Sequence, residues 1–157
     1  MELSLAANLR TRCQVSVAVL VVFLAGSILP VQAATVLIKD EEAQRQDAPV
    51  PEGDLGGFSR RPEIAVLEPI GAVTAPFRFA VRFKAHGSAK IVVPNIRVYY
   101  HKKGPIEITQ RLRAGLSADG INIDDALTPP RKHTLRIELE DSEGQKEVSF
   151  VKLEIVK

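Results

Sequence analysis

Phe77 to Lys84, FRFAVRFK, alternates with a period of two. Phe77, Phe79, Val81 and Phe83 share one parity; Arg78, Arg82 and Lys84 share the other. Successive side chains on a β-strand point to opposite faces, so this stretch is expected to be a strand with one buried and one wet face. The rhythm returns at Ile96 to His101, with Ile96, Val98 and Tyr100 inward. It returns again at His133 to Glu140, with Leu135, Ile137 and Leu139 inward and Arg136, Glu138 and Glu140 outward. Glu63 to Leu67, Ile106 to Thr109 and Gly120 to Ile123 read as shorter strands. In Lys146 to Val156 the phase changes between Val148/Phe150 and Val151/Leu153/Ile155, and a β-bulge near Phe150 would reconcile the two halves.

Short strands separated by Pro/Gly turns predict an all-β fold: an immunoglobulin-like β-sandwich of about seven strands. One short helical crossover is expected, capped by Thr109, running through Arg111, Leu112 and Arg113 and ending at Gly115. Leu112 and Leu116 would close the end of the sandwich. No internal repeat is visible, which argues against a propeller or solenoid.

The first 33 residues read as an address. Arg10 and Arg12 precede an uncharged run from Val15 to Leu29, followed by Pro30 and by Val31-Gln32-Ala33-Ala34. That order matches a secretory signal cleaved after Ala33 or Ala34. The apolar run is shorter than the roughly 20 residues of a membrane span. The expected location is therefore periplasmic or secreted, with the membrane met only through the uncleaved signal. Cys13 is the sole cysteine and Met1 the sole methionine, so cleavage leaves neither in the mature chain.

Residues 34–61 read as a flexible N-terminal segment, and 62–157 as the domain. Thr35-Val36-Leu37-Ile38 is a β-prone patch that could pair with a partner's sheet edge or lie on its own domain. Lys39 to Arg61 is polar and carries Pro49, Pro51, Gly53, Gly56 and Gly57, the composition of a tether.

Pro130 to Gln145, PRKHTLRIELEDSEGQ, resembles the penultimate strand and following turn of bacterial immunoglobulin-like (fibronectin type III-like) domains. His133 opens the strand, Leu135, Ile137 and Leu139 alternate, and Asp141 and Gly144 make the turn. The resemblance implies a domain of an exported protein. It carries little about function, because the fold hosts many roles. Without a cysteine pair or core tryptophan, antibody-type relatives are excluded.

The formal net charge of +2 is too small to suggest nucleic acid. There is no Gly-x-Ser-x-Gly, phosphate loop or HExxH, so no enzyme is expected. Asp124 and Asp125 are adjacent, which on a regular strand sends them to opposite faces. No cofactor or metal is expected: His86, His101 and His133 are the only imidazoles, with His101 and His133 on opposite sides of their sheet. His133 is expected to fill a corner role like that of a tyrosine corner. The remaining candidates for partner binding are the outward Tyr99 and a basic end made by Lys102, Lys103, Arg131 and Lys132, with Arg111 and Arg113 on the crossover. Together they point to an accessory module that docks to another envelope protein through a sheet edge or the basic end. The alternative is a polysaccharide-binding module, for which Tyr99 would be the stacking ring.

Overall fold

The structure, a computed structural model, describes residues 34–51 and 60–157. The expected signal peptide lies outside the described residues, as do residues 52–59 of the expected tether.

Two sheets pack face to face. The first holds β1 (Thr35–Val36), β7 (Gly120–Leu127), β4 (Phe77–Lys84) and β2 (Glu63–Glu68), in that order. The second runs β3 (Ala72–Thr74), β9 (Lys146–Val156), β8 (Lys132–Glu140), β5 (Arg97–Tyr100) and β6 (Ile106–Glu107). The first β-segment of the domain is divided: β2 pairs antiparallel with β4 in one sheet, and β3 pairs parallel with β9 in the other. With the antiparallel β4–β7 and β5–β8–β9 ladders, this is the strand arrangement of an immunoglobulin-like sandwich. β1 lies parallel beside β7, at the sheet edge where a fourth strand of that fold would run.

The period-two segments explain the core. Phe79, Val98, Tyr100, Leu135 and Ile137 are fully buried, each from the parity expected to face inward. At about 25 cal/mol per Å² of apolar surface, five such side chains contribute on the order of 10 kcal/mol before entropy is counted. Arg78, Arg82 and Lys84 are exposed on the outer face of β4. The crossover is a 3-10 helix, Thr109–Gly115, with Leu112 buried at its centre.

Four local expectations need correction. β9 has no bulge: its pairing with β8 runs in unbroken register from Lys132↔Glu154 to Glu140↔Lys146. Val148 and Phe150 keep the strand's phase and face outward, so the apparent phase change records apolar residues on the outer face. Thr109 does not cap the crossover; its Oγ1 accepts a hydrogen bond from Val98 N (2.9 Å), and the N-cap position is Ile108. β7 continues to Leu127, and its pairing with β4 shifts between Phe77↔Ala126 and Phe79↔Ile123. The extra residue there leaves both Asp124 and Asp125 exposed rather than on opposite faces.

The fourth correction concerns the tether. Residues 35–49 lie on the sandwich. Leu37 and Ile38 belong to the core, and Asp40–Ala43 forms a short helix, α1. The segment's polar composition suggested disorder, but its charges and carbonyls are matched by groups far along the chain.

Candidate functional site

The candidate residues divide between the outer face of the five-stranded sheet and its end. On the outer face, Tyr99 of β5 is paired with Glu107 of β6 and Arg136 of β8, and Arg136 with Phe150 of β9. One row across four strands thus reads Glu107, Tyr99, Arg136, Phe150. The Arg136 guanidinium sits 4.7 Å from the Tyr99 ring centroid, and its Nη2 reaches Glu138 Oε1 at 2.8 Å. Tyr99, Arg136, Phe150 and the neighbouring Val148 are all half-buried. Along the sequence Phe150 and Val148 look like core residues, because apolar character alone does not distinguish an outer face from an inner one.

The basic end is not an open patch. Lys102 keeps only 2% of its surface. Its Nζ donates to Asp47 Oδ1 and to Ala43 O (3.3 Å), and lies 4.8 Å from the Tyr100 ring centroid. Burial disfavours the ammonium, but the hydrogen bond to Asp47 and the contact with Tyr100 outweigh it and hold the pKa above its ordinary value. Arg131 donates from Nη1 to the same Ala43 carbonyl at the C-terminal end of α1. Lys103 is exposed, while its backbone N–H donates to Gln46 O (2.9 Å). Arg111 forks onto Glu42 at 2.6 and 2.7 Å and also donates to Leu37 O (2.9 Å). That fork holds the Glu42 carboxyl below its usual range although burial opposes it. Lys132 and Arg113 stand apart: Lys132 pairs loosely with Glu154 (3.6 Å), and Arg113 donates to Gln110 (3.2 Å). Lys102 and Arg131 are therefore engaged by the chain's own N-terminal segment, a pairing invisible to a local reading because Asp47 is 55 residues from Lys102.

The histidines separate as expected. His133 is buried; its Nε2–H donates to Pro129 O (2.8 Å), and its Nδ1 accepts from the Tyr100 hydroxyl (2.7 Å). This is the corner role, with Tyr100 joined to it. Burial lowers the His133 pKa, and the nearby Lys102 and Arg131 lower it further, against the Pro129 hydrogen bond. His101 points outward, donating from Nε2 to Pro49 O (3.1 Å) and meeting Phe150 edge-on at 5.0 Å between ring centroids. Among the described residues no group of three or more His, Cys, Asp or Glu side chains is placed to hold a metal ion.

A pH dependence follows. A histidine with a depressed folded pKa contributes stability that is fully present above the unfolded pKa of about 6.5 and is lost as pH falls through the folded value. Denaturant titrations should show stability declining as pH drops below about 6.5, with a slope of at most about 1.4 kcal/mol per pH unit from this site. Glu42, also depressed, adds a loss of the same sign below about 4.5. NMR should show the His133 ring titrating below the ordinary imidazole value of about 6.5. A His133 ring titrating at or above about 6.5 would contradict the buried Tyr100–His133 pair.

No protein-family model matches the chain, and no curated protein matches it. Among solved structures, a structure of murine CRIg is similar to it with a TM-score of 0.38 and 12% sequence identity, covering 62% of this chain and 99% of that chain. The strand pairing itself defines the chain as an all-β immunoglobulin-like sandwich.

Proposed function

We propose that the chain is a non-catalytic interaction module of the bacterial cell envelope, exported by its first 33 residues, that docks to another envelope protein through the outer face of the five-stranded sheet. The observation that carries this reading is the Glu107–Tyr99–Arg136–Phe150 row. Tyr and Arg with an aromatic neighbour are the side chains that dominate protein–protein contacts, because they combine large apolar area with directional hydrogen bonding. The bacterial part of this reading is supported by the resemblance of Pro130 to Gln145 to fibronectin type III-like domains. The polysaccharide alternative is less supported, because the ring it needs lies under the Arg136 guanidinium and is not free to stack on a sugar from that side.

A photo-crosslinking residue in place of Tyr99 should form protein adducts in intact cells, whereas one in place of Arg82, on the opposite sheet, should not. The mature mass should correspond to a chain beginning at Ala34 or Thr35. Equal crosslinking from both faces would remove the face assignment. Absence of adducts, together with glycan binding lost in Tyr99→Ala, would make the chain a polysaccharide module. A full-length mass in the membrane fraction would show the first segment to be an anchor.

A further inference from the structure

The N-terminal segment is held in two different ways. Its first part is fixed by apolar burial and strand pairing: Leu37 and Ile38 are in the core, and Thr35–Val36 pairs with Ala126–Leu127. Residues 39–49 bury only Ala43 among their apolar side chains and are otherwise held by polar contacts. Glu42 takes the Arg111 fork; Ala43 O accepts from Lys102 and Arg131; Gln46 O accepts from the Lys103 N–H. Asp47 receives Lys102, and Pro49 O accepts from His101. This strap carries four acids, Asp40, Glu41, Glu42 and Asp47, against two bases, Lys39 and Arg45.

We propose that the basic end formed by His101, Lys102, Lys103, Arg111 and Arg131 is a docking site for an acidic segment of a partner protein, and that residues 39–49 are its built-in cover. Two features define the occupant. The site pairs cations with carboxylates, which sets the charge. Its donors also read main-chain carbonyls at Ala43, Gln46 and Pro49, which a polypeptide offers and a lipid headgroup does not. The cover and a competing segment satisfy the same donors, so exchange leaves no buried cation unpaired. Exchange is opposed mainly by the tethering of the cover, equivalent to a local concentration in the millimolar range. The site touches the outer-face row only where His101 meets Phe150, and its test reads the strap rather than that row.

The test uses isotope-labelled protein and a synthetic peptide of residues 39–49, KDEEAQRQDAP, as the probe. In the wild type, the amide signals of Glu42 and Asp47 should move to released positions only at millimolar peptide. In the Glu42→Gln/Asp47→Asn protein the same displacement should need at least about tenfold less peptide, since two charge-assisted contacts of the cover are gone. The amides of Phe79 and Ile137 should not move in either protein, and salt should weaken the peptide. A peptide carrying the same two neutral substitutions displacing the cover equally well would overturn acid recognition. Anionic phospholipid vesicles displacing it where the peptide does not would make this a membrane site. No displacement in either protein, or loss of the Phe79 and Ile137 signals together with those of the strap, would show residues 39–49 to be a fixed part of the fold.

Discussion

Gly120→Ala should destabilise the domain by about 3 kcal/mol or more, at the upper end of what overpacking costs. Gly120 has φ +151° and sits directly against β4: a Cβ placed on it would lie 2.0 Å from Val81 O and 3.1 Å from Arg82 Cα. Both obstacles are backbone of the neighbouring strand, so no side-chain rotation relieves them. The turn that delivers Gly120 is closed by Ser117 N–H to Gly120 O (2.8 Å), and Phe83 N–H bonds Asp119 O (2.9 Å), so the approach is fixed from both sides. Gly144→Ala is the matched comparison. Its φ is +76°, but a Cβ there meets nothing within 4 Å. Only the conformational cost of about 1–2 kcal/mol should remain. Denaturant melts in which the two variants lose equal stability would show that the β4–β7 approach is looser than described.

Phe79→Ala should cost about 3–5 kcal/mol, the range for a buried aromatic truncated to a methyl group. Phe79 is completely buried at the centre of β4, opposite Ile123. Its neighbours belong to two sheets tied by long-range hydrogen bonds, so the cavity left behind collapses poorly. Arg82→Ala, three residues along and on the wet face, should change stability by no more than roughly 0.5 kcal/mol. Urea midpoints for the two variants measure the contrast directly. Comparable losses would place β4 in the wrong phase and undo the assignment of inner and outer faces of the four-stranded sheet.

What could be read in advance follows from where the information lies. β4 and β8 announce themselves because apolar residues on one parity face mostly charged residues on the other along eight or nine positions, with Ala80 and Thr134 the breaks in the charged rows. β9 misled at Val148 and Phe150, since an apolar residue on an outer face and one in the core look alike along the chain. The 3-10 crossover was legible from Leu112 and Gly115, but the work of Thr109 was not, because its partner Val98 lies on β5. The basic end was legible as charge and misjudged as surface. Nothing near Lys102 indicates burial; the carboxylate that permits it sits on the strap. The same strap read as a tether because its residues gain order only from Arg111, Lys102, Arg131 and His101, each more than 50 positions away. Tyr99 was legible from parity alone, whereas its covering by Arg136 and its alignment with Phe150 depended on the register of three strands.

The two parallel pairings at the extremities of the described fold also set a mechanical character. β1 lies along β7 near the beginning of the chain, and β3 lies along β9 near its end. Tension applied at Thr35 draws β1 lengthwise past β7, and tension at Lys157 draws β9 lengthwise past β3. Hydrogen bonds loaded in this way share the force and must yield together, whereas a strand peeled from its edge breaks them one at a time. A module of this design is anchored at both ends by sliding contacts, and it bears a pull along its own chain better than a pull across its sheets.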